Sequence, residues 1–186
     1  MSFHNHKLNY TDKVLAAAEV MLADDPDFEG RIDRADPDPA KHFHDWITGE
    51  EDHIGDPACG FWHMERSYWE ARNDPDVLLV HYADLKKDLT GEMRRIADFL
   101  EIEVAENLWP ELVQAAGFDS MKEKADELLP TAGDLWEGGG NTFLHKGTNG
   151  RWRETVNSED LQAYERKVKQ EFSPELAQWI EFGRLE

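Results

Sequence analysis

Cysteine is nearly missing from this chain. Cys59 stands alone, so no disulfide can form within the chain, and a reducing, cytoplasmic setting is the simplest expectation. Positive charge is scarce as well. Against 40 Asp and Glu there are 20 Lys and Arg, for a formal net charge of −20. Such a surface repels nucleic acid and anionic membrane and argues against both as general partners. Apolar runs stay far short of the roughly 20 residues that span a bilayer. The opening residues, Met1-Ser2-Phe3-His4-Asn5-His6, are too polar for a signal peptide. There are no internal repeats, no low-complexity tract, and neither a CxxC nor an HExxH pattern. The histidine pairs His4/His6 and His42/His44 therefore lack the accompanying residues of a zinc site, and no metal is expected.

What remains is 186 residues, 40% of them hydrophobic, enough for one globular domain with its own core. Most of the chain reads as helix. Asn9 or Thr11 caps a helix through Val14, Leu15, Val20, Met21 and Leu22. Acidic loops are expected over Asp24 to Ala40 and Glu50 to Gly60, with a helix between them from Pro39 to Gly49 that carries Phe43, Trp46 and Ile47 on one side. An aromatic helix runs from Phe61 to Arg72 and stops at Asn73-Asp74-Pro75. Thr90 is expected to cap a helix through Met93, Ile96, Ala97, Phe99 and Leu100. Ala105 to Ala116 is a further helix with Leu108, Leu112 and Val113 as its core face. Asp119 to Leu128 is helical, and Pro130 to Gly140 is a glycine-rich loop. Ser158 is expected to cap a helix to about Phe172, and Ser173-Pro174 starts the last one.

Only one convincing strand is found, Val77-Leu78-Leu79-Val80-His81-Tyr82, short and apolar on both faces as in a buried parallel sheet. One buried strand cannot make a sheet. The helices of an α/β fold are nearly all here and its central strands nearly all absent, so the chain is expected to lack an N-terminal portion of its fold.

One short stretch runs against the acidic background: Phe143-Leu144-His145-Lys146-Gly147-Thr148-Asn149-Gly150-Arg151-Trp152. Glycines let backbone N–H groups approach a ligand closely, and a neighbouring Lys adds a compact charge with three donors. Together they can hold a phosphate. A plain surface turn anchored by Trp152 is the other reading of the same residues.

Three features in this order resemble the cytosolic-type sulfotransferases, which use 3′-phosphoadenosine 5′-phosphosulfate (PAPS) and release 3′-phosphoadenosine 5′-phosphate (PAP). They are Trp69-Glu70-Ala71-Arg72-Asn73-Asp74-Pro75-Asp76-Val77-Leu78; then Val80-His81-Tyr82-Ala83-Asp84-Leu85-Lys86-Lys87-Asp88 running into Met93-Arg94-Arg95-Ile96-Ala97-Asp98-Phe99-Leu100; then Phe118-Asp119-Ser120-Met121-Lys122 with the basic stretch. The family pattern in that last stretch is Arg-Lys-Gly, two variable residues, Gly, an acid or polar residue, Trp. The match covers about the last two-thirds of the chain. The first residues resemble the family segment that follows its Arg-Asn/Asp-Pro-Lys-Asp motif.

The resemblance implies an α/β, P-loop-NTPase-like sulfotransferase fold, incomplete here: mostly helical, with few parallel strands. Residues 1–186 would be a single sulfotransferase domain lacking its phosphosulfate-loop part. Ser2, Lys146 and Gly147 match residues that meet the cofactor's 3′-phosphate. His145 stands where the family usually has Arg, which removes a permanent charge and a bidentate fork, so binding should be weaker and pH-sensitive. Tyr82 and Phe118 match adenine-contacting residues, although both also read as core or loop anchors. His4, His6 and Tyr10 fall where the family lines its acceptor pocket. The implied chemistry is metal-free, in-line transfer of a sulfuryl group to a hydroxyl or amine of a small-molecule acceptor, with a His base and donors on the leaving phosphate. A non-catalytic nucleotide-binding or interaction module that reuses part of the fold is the alternative. Arg153-Glu154-Thr155-Val156-Asn157-Ser158-Glu159 echoes the family's Lys-Thr-Val-Glu pairing pattern only poorly, which leaves a homodimer open. The family's Lys-Ser-Gly-Thr-Thr-Trp run and catalytic His have no counterpart in these 186 residues. The purified 186-residue chain is therefore expected to show no PAPS-dependent turnover in a radiolabelled sulfuryl-transfer assay; measurable turnover would overturn that expectation.

Overall fold

Short polar side chains decide where the helices begin. The computed structural model describes residues 2–23, 32–49 and 60–184; Cys59 and most of the two acidic loops lie outside them. Helix α1 (Ser2–Leu8) leads into α2 (Asp12–Ala23). Thr11 Oγ1 accepts from the Val14 N–H at 3.2 Å, which satisfies one orphan donor of the first turn of α2. Helix α3 (Pro39–Thr48) opens on Asp38, whose carboxylate accepts from Ala40 N–H at 2.9 Å, and closes on Gly49 in the left-handed region. The aromatic α4 (Phe61–Glu70) continues as a 3₁₀ turn, Ala71–Asn73. Then come α5 (Tyr82–Lys87) and α6 (Leu89–Phe99). The cap of α6 is Asp88, accepting from Gly91 N–H at 2.8 Å, rather than Thr90, because an Asx side chain reaches the first-turn amides two residues sooner.

Helix α7 (Trp109–Ala116) turns a different face inward than its apolar spacing foretells. Leu108 and Leu112 are 45% and 40% exposed while Trp109 is buried, since the large indole removes more apolar area from water than either leucine. The helix expected over Asp119 to Leu128 is broken at Lys124 into α8 (Phe118–Glu123) and α9 (Ala125–Leu128). The glycine-rich segment is not a loop throughout: it holds α10 (Ala132–Leu135) and the start of α11 (Gly139–Phe143). Helix α12 (Ser158–Glu171) is capped by Asn157 rather than by Ser158, which is already its first helical residue: the Asn157 side chain accepts from the N–H groups of Glu159 and Asp160, both at 2.9 Å. In α13 (Pro174–Phe182) the Ser173 hydroxyl accepts from Leu176 N–H at 3.2 Å.

The expected strand at 77–82 does not form. Among the described residues there is no ladder, only an isolated antiparallel bridge between Tyr10 and Trp136. Residues 77–81 are irregular, and Tyr82 opens α5. A strand needs a partner backbone for its N–H and C=O groups. Here the Leu79 carbonyl instead accepts from Arg95 Nη2 at 2.9 Å.

The chain forms two compact units, Met1–Gly60 with Met121–Lys167, and Phe61–Ser120 with Val168–Glu186. In the first, α1 is tied to α11 by Asn5 Nδ2 donating to the Thr142 carbonyl at 3.0 Å. Helix α11 sits directly on α9: a Cβ at Gly140 would meet the Ala125 carbonyl at 2.6 Å, so only glycine permits that approach. Phe43 and Trp46 of α3 pack with Tyr164 of α12. His44 Nδ1 meets the buried Asp160 carboxylate at 2.8 Å.

In the second unit, Phe61 and Trp62 surround Phe172, and Trp69 packs on Trp179. His81 has its two nitrogens in fixed roles: Nδ1 accepts from Ala83 N–H at 3.1 Å, so Nε2 donates to the Ile180 carbonyl at 3.0 Å. Glu92 is 1% exposed and bound by Arg95 and Arg184, while the Asp84 carboxylate accepts from Arg184 N–H at 3.0 Å. A carboxylate so deeply placed needs those partners. Leu176, 2% exposed, is the most deeply placed apolar side chain of α13. Leu176→Ala is expected to cost about 2–5 kcal/mol, read as a lower urea midpoint; a loss well under 1 kcal/mol would mean that α13 is not packed as described.

Candidate functional site

The basic stretch lies wholly in the first unit. Its start is fixed by the Phe143 carbonyl at the end of α11, which accepts from His145 N–H at 3.0 Å and from His6 Nε2 at 3.2 Å. The His6 ring stacks on Phe143, with centroids 4.9 Å apart and planes 10° apart, and Trp136 packs against both. His6, expected on the acceptor side, thus stands beside the basic stretch. Its far end is fixed by Trp152, stacked on Phe43 at 5.6 Å and edge-on to Tyr164 at 5.0 Å. Between these anchors the chain turns through Gly147 (φ 59°) and Gly150 (φ 76°), values that a side chain with a Cβ rarely adopts.

Charge gathers in this turn. The His145 carbonyl accepts from Lys122 Nζ. Burial, and then the positive charges of Lys146, Arg151, Lys122 and His6, hold the His145 imidazole below its ordinary value of 6.5. His145 is therefore mostly neutral at neutral pH, able to donate one hydrogen bond but supplying no charge. Lys146 is exposed and Arg151 partly buried. Among the described residues neither has a carboxylate within 4.0 Å. By contrast Arg153, two residues on, lies over the Trp152 ring at 4.7 Å. Lys122 and Arg151 were legible in the motif but carried no assigned role; that they converge on His145 is a fact of the fold.

The other expected site residues are placed as follows. Ser2 opens α1. His4 is buried, its Nε2 donating to the Asp36 carbonyl at 2.8 Å and its ring 4.8 Å from that of His42. Tyr10 is partly buried, which pushes its hydroxyl above the ordinary 10.0 and keeps it protonated. In the second unit, Tyr82 is half exposed in the first turn of α5, and Phe118 opens α8, partly buried. No group of three or more His, Cys, Asp or Glu among the described residues is placed to hold a metal ion. None of the described helices is long and apolar enough to cross a membrane.

A glycine-bearing turn in which Lys146 and Arg151 have no carboxylate within 4.0 Å among the described residues suits a phosphate, and the family comparison decides what kind of protein presents it. A model of the sulfotransferase domain matches residues 23–175. The chain belongs to the sulfotransferase domain family. A glycolipid sulfotransferase of Mycobacterium bovis (strain BCG / Pasteur 1173P2) is 30% identical over 159 residues, covering 78% of this chain and 48% of that protein. Cytosolic sulfotransferase 12 of Arabidopsis thaliana is 34% identical over 125 residues, 64% of this chain and 36% of that one. The chain spans about half the length, or less, of these relatives. Among solved structures, mouse sulfotransferase SULT7A1 complexed with PAP superposes with a TM-score of 0.64 at 18% identity, over 90% of this chain and 58% of that one. Retinol dehydratase in complex with androsterone and inactive cofactor PAP gives 0.57 at 26% identity, over 72% and 38%. The fold is that of sulfotransferases, and the described part of it is helical.

The low His145 value has a measurable consequence. Because the folded state disfavours the imidazolium, the unfolded chain binds the proton more readily below 6.5, and stability contributed by this group falls as pH drops through that value. An NMR titration should give a His145 midpoint below 6.5 that rises in Lys146→Ala. A midpoint at or above the ordinary value in the wild-type chain would contradict the burial and charge environment described.

Proposed function

We propose that this chain carries the 3′-phosphate and adenine side of the PAPS site in a sulfotransferase that delivers a sulfuryl group to a hydroxyl or amine of a small-molecule acceptor. One observation carries the reading. In a family member of net charge −20, Lys146 and Gly147 stand in a turn where Lys146 and Arg151 have no carboxylate within 4.0 Å among the described residues. Such a local positive charge attracts an anion that the rest of the surface repels, and hydrogen bonds between charged donors and phosphate are among the stronger ones.

In this reading Lys146 neutralises the 3′-phosphate, Gly147 is assigned beside it by its match to the family pattern, and His145 adds an uncharged donor. Ser2 joins them through its match to the family's phosphate-contacting Ser, and Tyr82 and Phe118 are assigned to the purine by the same kind of match. His6 and Tyr10, with His4 behind them, are assigned to the acceptor side. PAPS supplies the sulfuryl group and a stabilised leaving phosphate; the residues named here hold and orient the nucleotide. Two solved neighbours hold PAP, and one of them also holds androsterone, which supports the nucleotide and a small-molecule acceptor. We further propose that residues 1–186 belong to one sulfotransferase domain, acting in the cytoplasm without a metal, with pairing of two copies as the family's expectation.

Calorimetric titration of the purified chain with PAP tests the reading. Wild-type chain should bind with a defined 1:1 stoichiometry, and Lys146→Ala should weaken binding by about tenfold or more, the loss of a charge-assisted phosphate contact. Absence of PAP binding by the wild-type chain, or equal affinity in Lys146→Ala, would overturn it.

A further inference from the structure

We infer that Arg151 is a second phosphate-holding cation of this site, standing in for the guanidinium that the family pattern places at position 145. The inference rests on the PAP-site reading above and goes beyond it, because that reading gives Arg151 no role.

At position 145 this chain has His in place of Arg, and the half-buried imidazole is kept mostly neutral by its surroundings. On that count the turn has lost a full charge and a planar fork of donors. A dianionic phosphate facing Lys146 alone would be under-neutralised, and the surrounding net charge of −20 makes the deficit worse.

Arg151 supplies both missing properties. It follows Gly150, whose positive φ of 76° turns the chain, and it stands near enough to His145 for its charge to act on the ring. Its backbone is held in place: the Arg151 carbonyl accepts from Thr155 Oγ1 at 3.3 Å, and the next residue, Trp152, is fixed between Phe43 and Tyr164. The side chain is partly buried and has no carboxylate within 4.0 Å among the described residues. Nearby basic groups are otherwise engaged. Lys122 donates to the His145 carbonyl, and Arg153 lies over the Trp152 ring. Lys146 and Arg151 are therefore two cations of one turn whose charges both act on the His145 ring, neither with a carboxylate within 4.0 Å among the described residues, an arrangement that favours a bound anion. A guanidinium can meet a phosphate with two parallel N–H···O bonds, which an ammonium cannot.

The test is PAP titration calorimetry on the full chain for wild type, Arg151→Gln, Arg151→Lys and Lys146→Ala, with NMR titration of His145 alongside. Arg151→Gln should weaken PAP binding about tenfold or more and raise the His145 midpoint in the free chain. Arg151→Lys, which keeps the charge but loses the fork, should weaken PAP by about threefold and leave the midpoint low. If Arg151→Gln binds PAP within twofold of wild type while Lys146→Ala loses tenfold, the PAP site stands and the role of Arg151 is overturned. If neither substitution changes PAP affinity, both fall. Should Arg151→Gln fail to fold, Arg151→Lys decides: a loss of about threefold supports the inference and unchanged affinity overturns it.

Discussion

Lys146 and Arg151 stand beside an imidazole that they help keep neutral, with no carboxylate among the described residues to answer them. In a chain with twice as many acids as bases, that local reversal of sign is the constraint on which the rest depends. Like charges held together destabilise a fold, and the cost shrinks only with solvent screening or a bound anion. The first unit therefore has to hold the turn rigidly from outside: aromatic packing of His6, Trp136 and Phe143 at one end, Phe43, Trp152 and Tyr164 at the other, and Lys122 on the His145 carbonyl between them.

The second unit handles charge in the opposite way. There the buried ions are answered: Glu92 by Arg95 and Arg184, and Asp84 by the Arg184 N–H. Removing a partner from such a cluster leaves an uncompensated buried charge, so these residues read as structure. The contrast bears on the functional reading of the first unit, because Lys146 and Arg151 sit in one turn and have no carboxylate within 4.0 Å among the described residues.

Several assignments from sequence survive because their causes are local. The helices expected to begin at Pro39 and at Ser173-Pro174 do so, with each proline in the first turn as its fixed φ favours. Others fail because the cause is remote. Residues 77–82 have strand composition but no neighbouring backbone among the described residues, so the Leu79 carbonyl goes to a side chain and Tyr82 turns into a helix. Leu108 and Leu112 have helical spacing, yet Trp109 takes the inward place.

The order of residues by itself determined the family, the phosphate-suited chemistry of Lys146 and Gly147, and most helix boundaries, since glycine freedom, capping and charge act over a few residues. Only the tertiary structure decided that Lys122, His6 and Arg151 converge on His145 and depress its basicity, and that Arg153 turns away onto Trp152. Those outcomes depend on groups up to 139 positions apart in the chain, from His6 to His145, and electrostatic coupling of that kind is set by distance in space, which no local pattern encodes.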